Sequence, residues 1–458
     1  MKLMRSALLV TAAAMLVSGC AVLGGGGDDK KPKTPTVGKR IPVLSAETGV
    51  EVDPALADVA VVLPAPLTNP SWTQPGGSAS KAMGHLSLGA AIAPAWSATI
   101  EGSSKTARLA SAPIVADGKV YVVDSRAKLT AFNADSGAKL WSIQIGDEKD
   151  TAGGRSWLSG ELTGNVGLLF GGGVSYDSGT LYATNGLGDV AAYNAETGAQ
   201  LWKKRPGGPL RGAPGVGNGN VYVMSQDNQV FAMRQSDGNL EWSRAGTLET
   251  AGVFGVASPA IAQGTVVAGY SSGELSAYRY ENGQEVWQDA LARTSISTSV
   301  ASLSDIDADP VIDQGRVFAV GQGGRMVSLE LVTGQRLWEI NLAGIQTPWV
   351  AGEWLFVVTD EAKLLCLSRV SGKVKWLTQL PRYRKEKKKE GPIAWQGPVL
   401  AGNRLVLVSN EGEMVNVSAT DGTVQGTQEL KAPVTLPPIV ANNTLYVLDD
   451  SGRLTAWR

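Results

Sequence analysis

The sequence predicts an all-β protein: an eight-bladed β-propeller of four-stranded antiparallel blades, with a strand near 95–100 pairing with the C-terminal blade to close the ring. Three observations carry this. First, a turn glycine followed four residues later by tryptophan recurs at Gly137/Trp141, Gly198/Trp202, Gly238/Trp242, Gly283/Trp287, Gly334/Trp338 and Gly372/Trp376. Second, counted from Trp96, these tryptophans stand 45, 61, 40, 45, 51 and 38 residues apart, close to the length of one propeller blade. Third, each interval holds four short alternating stretches rich in β-branched and aromatic residues, bounded by Asp-Gly, Ser-Gly or Asn-Gly turns. No stretch of the body keeps a helical period.

The first unit shows the pattern in full. Ala112-Pro113-Ile114-Val115 is followed by Gly118 to Val123, by Leu129-Thr130-Ala131-Phe132, and by Gly137 to Trp141. Units begin near Ala112, Ser175, Ala213, Ser258, Asp309, Thr347, Gly397 and Pro437, which makes eight. Ala95 to Arg458 is 364 residues, or 45.5 for each of eight units. The last unit stops at Leu454-Thr455-Ala456-Trp457, its third strand, whereas Ala95 to Ile100 is a strand with none before it. Pairing the two completes the ring and removes two open sheet edges. The seventh unit carries Gly426 in place of tryptophan, which predicts looser packing at its outer edge. Six residues before each turn glycine stand Ala131, Ala192, Ala232, Ala277, Ser328, Cys366 and Asn416. These small side chains predict close packing against a neighbouring blade's tryptophan, and make Cys366 a buried filler rather than a reactive thiol.

Composition excludes several function classes. Among 458 residues, 41 basic and 42 acidic side chains nearly cancel, so bulk charge suggests no nucleic-acid partner. His85 is the sole histidine, which removes His-clustered metal sites. Two cysteines, Cys20 and Cys366, form neither a disulfide framework nor a zinc site. No metal and no cofactor is expected.

The N-terminus reads as an address. Lys2 and Arg5 precede an apolar run, Ser6 to Val17, too short to span a bilayer. The run ends in Val17-Ser18-Gly19-Cys20, which resembles a bacterial lipobox. That resemblance implies a signal peptide over 1–19 and acylation of Cys20. Ala21, rather than Asp, after the cysteine implies sorting to the outer membrane. Residues 20–40, with four successive glycines and a Lys/Pro/Thr stretch, read as a flexible tether. Residues 41–94 form an irregular extension carrying Trp72 and His85, ahead of the propeller at 95–458.

The phrase Ala-x-Asn-x-x-Ser/Thr-Gly-x-x-x-Trp stands complete at Ala131–Trp141 and Ala192–Trp202. It resembles the tryptophan-docking motif of quinoprotein-type propellers, shared by pyrroloquinoline-quinone alcohol dehydrogenases and by the BamB family of outer-membrane β-barrel assembly lipoproteins. In that motif Trp96, Trp141, Trp202, Trp242, Trp287, Trp338 and Trp376 lock blade to blade. The dehydrogenase branch implies an adjacent cysteine pair, a bound calcium and a catalytic Asp; this chain has no adjacent cysteine pair and no recognisable catalytic segment. A quinone-dependent dehydrogenase or cofactor-binding propeller is therefore the alternative reading, and a non-enzymatic scaffold the leading one.

Leu303-Ser304-Asp305-Ile306-Asp307-Ala308-Asp309-Pro310 is similar to the Leu-Ser-Asp-Val-Asp-x-x-Pro segment of BamB proteins. The resemblance implies that Leu303, Ser304, Asp305 and Asp307 belong to a surface docking on the periplasmic (POTRA) domains of BamA. A second contact implied by the family lies in the loop Leu248–Val256. There the family's Leu-x-Leu-Arg-Gly becomes Ala251-Gly252-Val253-Phe254-Gly255, so Phe254 puts an aromatic ring where the family has a cation. The implied partners are BamA, other lipoproteins of the assembly machine and unfolded outer-membrane proteins. The implied location is the periplasmic side of the outer membrane, held by a lipid anchor.

The four long connections, roughly 144–172, 247–257, 288–308 and 380–396, all join an outer strand to the next inner strand. They therefore leave the disc on one face, opposite the tight turns, and mark a binding face. Other signals weigh less. Asp305-x-Asp307-x-Asp309 lacks the Gly and Glu of an EF-hand, having Pro310 and Arg316 there. Gly269–Gly273 matches G-x-S-x-G but sits in a hairpin, and Gly186–Ala191 opens a strand rather than a helix. The basic run Arg382–Glu390 reads as a solvated loop.

Overall fold

The structure is a computed structural model that describes residues 50–458 apart from 106, 147–152, 156–161, 165–169, 249–256 and 292–304. The leader, Cys20 and the tether lie outside these residues. Eight four-stranded antiparallel sheets follow one another in a ring. Blade 1 consists of Ile114–Ala116, Lys119–Val123, Lys128–Asn133 and Lys139–Gln144, from the axis outward. Blades 2 to 7 repeat that order over 172–204, 215–245, 260–290, 311–340, 349–379 and 395–429. Two small hairpins decorate long connections, Gly153–Arg155 with Leu162–Gly164 and Tyr383–Lys385 with Glu390–Pro392.

Blade 8 is built from both ends of the body. Ile439–Ala441, Thr444–Leu448 and Arg453–Trp457 come from the C-terminus, and Pro94–Thr99 adds the outer strand. Trp96 faces Ala456, Ser97 faces Thr455 and Thr99 faces Arg453. Ala93 and Arg458 exchange both backbone hydrogen bonds, at 2.8 and 3.0 Å. The expected closure is thus present.

In the outer strands of blades 2 to 5 the tryptophan is the one buried residue, as in Leu240–Ala245 with Trp242. A β-bulge explains how that ring reaches the next blade. In all seven blades made from continuous chain, the pairing of third and fourth strands slips directly after the small-residue position. Ala131 faces Trp141, but Phe132 already faces Lys139. Such a bulge adds local twist and re-aims the side chain. The small residues therefore oppose their own blade's tryptophan, not the neighbour's as the sequence suggested; antiparallel register decides this.

What the neighbour's ring covers is the turn glycine. Gly238 has φ +69°, and a Cβ there would lie 2.5 Å from the ring of Trp202, so conformation and close approach both demand glycine. The same holds at the turn glycines from Gly137, under Trp96, to Gly422, under Trp376. Most of these indoles also donate to a carbonyl of the next blade, for example Trp202 Nε1 to Gln235 O at 2.8 Å and Trp242 Nε1 to Tyr280 O at 2.9 Å. Gly426 now has a reason. Blade 8 takes its third and fourth strands from opposite chain ends, so it has no turn on which a blade 7 tryptophan could dock.

Residues 67–86, which showed no period, form a hub. The inner edge of every first strand faces the axis with backbone groups that need partners. The hub supplies them in seven of the blades and meets blade 6 through an indole. Asn69 O accepts from Asn442 N (2.7 Å) in blade 8, and Trp72 exchanges two bonds with Val115 in blade 1. Thr73 O accepts from Tyr176 N (2.8 Å) in blade 2, and the Gln74 amide brackets Val216 N and O (2.9 and 2.7 Å) in blade 3. Ala79 O and Ser80 O accept from Ile261 and Ile312 in blades 4 and 5, both at 2.8 Å. Gly84 O accepts from Trp349 Nε1 (2.7 Å) in blade 6, and Leu86 pairs with Leu400 and Gly402 of blade 7. The circuit closes on itself where Leu67 bonds His85 O and Ser87 N, both at 2.9 Å.

Candidate functional site

The hub contacts the ends of the inner strands nearest the tight turns, so it closes the central channel on that face. What remains is a pocket of about 260 Å³ opening toward the long-loop face. Its walls come largely from residues at the entrances to the inner strands of blades 1, 3, 5, 6, 7 and 8, among them Asp307, Asp309, Gln346 and Leu436. Trp72 and Lys81 of the hub line its base. Trp72 is stacked on Trp349, with centroids 6.1 Å apart and planes 24° from parallel.

Lys81 is buried and its Nζ lies 3.3 Å from Ser258 Oγ. Burial lowers its ammonium to about 8, opposed by the nearby Asp309 carboxylate. Asp309 is buried as well, which raises its carboxyl, and its Oδ1 accepts from Ser258 N at 2.7 Å. His85 is spent structurally: Nδ1 meets Pro64 O at 2.7 Å and Nε2 accepts from Asn403 N at 3.0 Å.

The two acids singled out by the sequence lie at the foot of the 288–308 connection. Asp305 is 1% exposed, and its carbonyl accepts from Gln322 N at 2.9 Å. Asp307 pairs with Arg211 at 2.9 Å, and their side chains are 8% and 1% exposed. Burial pushes Asp307 up to about 6, with Arg211 pulling down and Asp305 pushing up. Both acids are therefore buried in the disc, and Arg211 reaches Asp307 from the entrance to blade 3. Sequence reasoning missed Arg211; a single arginine ahead of an inner strand carries no mark of a partner 96 residues away. Leu303, Ser304, Ala251, Val253 and Phe254 lie outside the described residues, as does Cys20.

The seven motif tryptophans sit at the blade junctions, each over the turn glycine of the next blade. Cys366 is fully buried opposite Trp376, and burial pushes its thiol far up. Among the described residues no group of three or more His, Cys, Asp or Glu is placed to hold a metal ion. The basic run forms an ordered hairpin on the long-loop face, pinned by Arg382–Glu361 (3.6 Å), Arg384–Glu411 (3.4 Å) and Lys385–Glu390 (3.0 Å).

With this geometry in hand, comparison with known proteins is decisive at the family level. The sequence model of the family described as outer membrane protein assembly factor BamB matches residues 93–156, 145–378 and 383–457. The chain belongs to the BamB family. The BamB of Salmonella typhimurium is 28% identical over 345 residues, 75% of this chain and 83% of the relative. That of Escherichia coli K12 is 27% identical over 341 residues, 74% and 82% respectively. The crystal structure of BamB from Moraxella catarrhalis superimposes with a TM-score of 0.66 at 17% identity, covering 80% of this chain and all of that one. A quinohemoprotein alcohol dehydrogenase from Comamonas testosteroni gives a TM-score of 0.63 at 13% identity, covering 85% and 80%. At such identities the two solved structures speak for the shared propeller alone. The matched region begins at residue 93, so the hub at 67–86 lies outside what the BamB family model covers.

Proposed function

We propose that this chain is a non-enzymatic outer-membrane lipoprotein that serves, as its BamB relatives are named, in outer membrane protein assembly. Cys20 anchors it to the periplasmic side of the membrane. Its long-loop face docks on the periplasmic domains of BamA, alongside other lipoproteins of the machine, and presents unfolded barrel proteins for insertion. One observation supports this above the rest: a family match along nearly the whole propeller, joined to a disc whose long connections all leave one face. A closed, braced ring holds separated loops at fixed spacing, so little ordering cost arises on binding.

Affinity purification of the tagged full chain from detergent-solubilised membranes tests the docking. Val253→Asp with Phe254→Asp is expected to cut BamA recovery by about thirtyfold, the loss of about 2 kcal/mol typical of one hot spot. Asp305→Asn with Asp307→Asn, checked for folding by circular dichroism, probes the base of the second loop. Full recovery with both pairs removes this face from the interface. Cys20→Ala should move the protein from the membrane to the soluble periplasmic fraction.

A further inference from the structure

The connection from blade 6 to blade 7 concentrates positive charge. Arg382 to Glu390 holds six basic and two acidic side chains, in a chain whose signs otherwise nearly cancel. The run is a built hairpin rather than a loose loop. At its base Ile393 N donates to Arg382 O at 2.8 Å and Trp395 Nε1 to Pro381 O at 2.9 Å. Asn410 brackets the returning strand, accepting from Ala394 N at 2.9 Å and donating to Pro392 O at 3.3 Å. Higher up, Arg382, Arg384 and Lys385 are taken by Glu361, Glu411 and Glu390. The tip turns over Glu386–Lys388, where Lys389 N donates to Glu386 O at 3.2 Å. Lys387, Lys388 and Lys389 are left there fully outward, and among the described residues none of the three has an ion-pair partner. The ring therefore spends its own acids on holding the arm and leaves three ammonium groups at its end.

Two observations select the partner. The first is the chemistry of the tip. Protein interfaces are depleted in lysine and centred on aromatic or arginine anchors, and the turn Glu386–Lys389 has neither. Hydrated point charges on flexible stems suit a diffuse negative surface instead. The second is where the chain that carries Cys20 joins the ring. Val50 packs into the cluster that contains Leu367 and Val374 of blade 6. Asp53 N donates to Val374 O at 2.9 Å, and Lys375 Nζ donates to Leu56 O and Ala57 O, both at 2.8 Å. Those contacts hold one end of the outer strand Val374–Gln379, and the hairpin grows from its other end, about 17 Å along. We propose that the Lys387–Lys389 tip is a membrane-contact site that rests on anionic phospholipid headgroups and turns the blade 6–7 rim toward the bilayer. The choice of a membrane rests on the lipid anchor proposed at Cys20. The anchor supplies residence, and the hairpin supplies orientation, by electrostatic attraction that falls as salt shortens the screening length. A lysine near such a surface is worth about a fivefold gain in binding.

The test uses the full chain with Cys20→Ala, which carries no acyl group, and sediments it with vesicles of phosphatidylcholine alone or mixed with phosphatidylglycerol. Binding is expected on the mixed vesicles only, and weaker as salt is added. Lys387→Gln with Lys388→Gln and Lys389→Gln should lower it by about a hundredfold, and arginine at the same three positions should retain it. None of the three side chains pins the hairpin, so circular dichroism and Tm should not move. Cys366 is buried, so an environment-sensitive thiol label can be placed at Glu386→Cys alone, or at Glu281→Cys in a tight turn of blade 4 as the control. Mixed vesicles should shift the emission of the first label and not of the second. Equal binding to the two kinds of vesicle, unchanged binding in the glutamine variant, or equal response of the two labels overturns the proposal. So does a glutamate-rich peptide that binds with the same lysine dependence while mixed vesicles do not, since the tip would then serve an acidic protein partner. The vesicle assay contains no acyl chain, so its outcome and that of the Cys20→Ala fractionation are read separately.

Discussion

Arg211, at the entrance to blade 3, and Asp307, at the entrance to blade 5, form an ion pair 2.9 Å long with side chains only 1% and 8% exposed. Two blades apart in the ring, they tie the foot of the 288–308 connection to the segment that leads into blade 3. Buried pairs of this kind gain little net stability over an apolar pair, but breaking one by removing a single partner costs about 3–5 kcal/mol. Arg211→Met is therefore expected to destabilise the protein by about 3 kcal/mol, since it strands a buried carboxylate. Arg211→Met with Asp307→Leu should recover most of that loss. Urea denaturation at neutral pH gives the comparison, and a double variant no better than the single one would show that the pair does more than cancel charge.

The same carboxyl predicts a pH dependence. Burial holds Asp307 at about 6, above the ordinary 3.8, despite the attraction of Arg211. A folded value above the unfolded one means that the native state binds the proton more tightly. The group then adds stability as pH falls from about 6 toward 4, and withdraws it as pH rises through that window. The full swing is about 3 kcal/mol. The Tm of the wild type relative to Asp307→Asn should accordingly fall between about pH 4 and pH 6.5. A relative Tm that climbs with pH would mean that the pairing outweighs burial.

The hub predicts a local effect and a global one. Trp72 is 3% exposed and stacked on Trp349, so Trp72→Ala should cost about 3–5 kcal/mol. Gln74→Ala removes the amide that brackets Val216, and should leave Val216 N–H without its 2.9 Å acceptor. Hydrogen exchange is expected to quicken at Val216 far more than at Ile261 or Ile312, which bond to hub carbonyls instead. Uniform acceleration across the inner strands would show that the hub detaches as one piece.

How much of this was legible in the sequence follows from where each partner sits. Blades repeat because each packs against a copy of itself, so Gly238 and Trp242 announce their role by spacing, and the unmatched strand at Ala95 announces the closure. The hub has no such signature. Asn69, Trp72, Gln74, Ala79 and Ser80 each answer a different strand, and a segment with eight different neighbours has no period of its own. Arg211 and Asp307 were hidden for a related reason, since charge pairs joined only by the ring leave no local pattern. Gly426 was visible as an exception, but its cause, the missing turn in blade 8, emerged only once the two chain ends stood side by side.

A last prediction concerns the junction between blades 1 and 2, where the tryptophan is seated differently. Trp141 covers Gly198 as its counterparts cover their glycines, yet its indole N–H is buried without an acceptor. The position taken in blade 1 by Ala134 O, which accepts from Trp96 at 3.0 Å, belongs in blade 2 to Ala195 O. That carbonyl accepts from the Tyr121 hydroxyl at 3.1 Å instead. One acceptor thus has two suitors, and the phenol holds it. Tyr121→Phe removes the competitor and frees Ala195 O for the indole. A buried tyrosine hydroxyl ordinarily costs about 1 kcal/mol or more when deleted, because its acceptor is stranded. Here the loss should be well below that, and the Trp141 indole N–H resonance should move downfield as the new bond forms. A full-sized loss with an unmoved resonance would show that the Trp141 ring is fixed by its packing on Gly198 and cannot turn to the carbonyl.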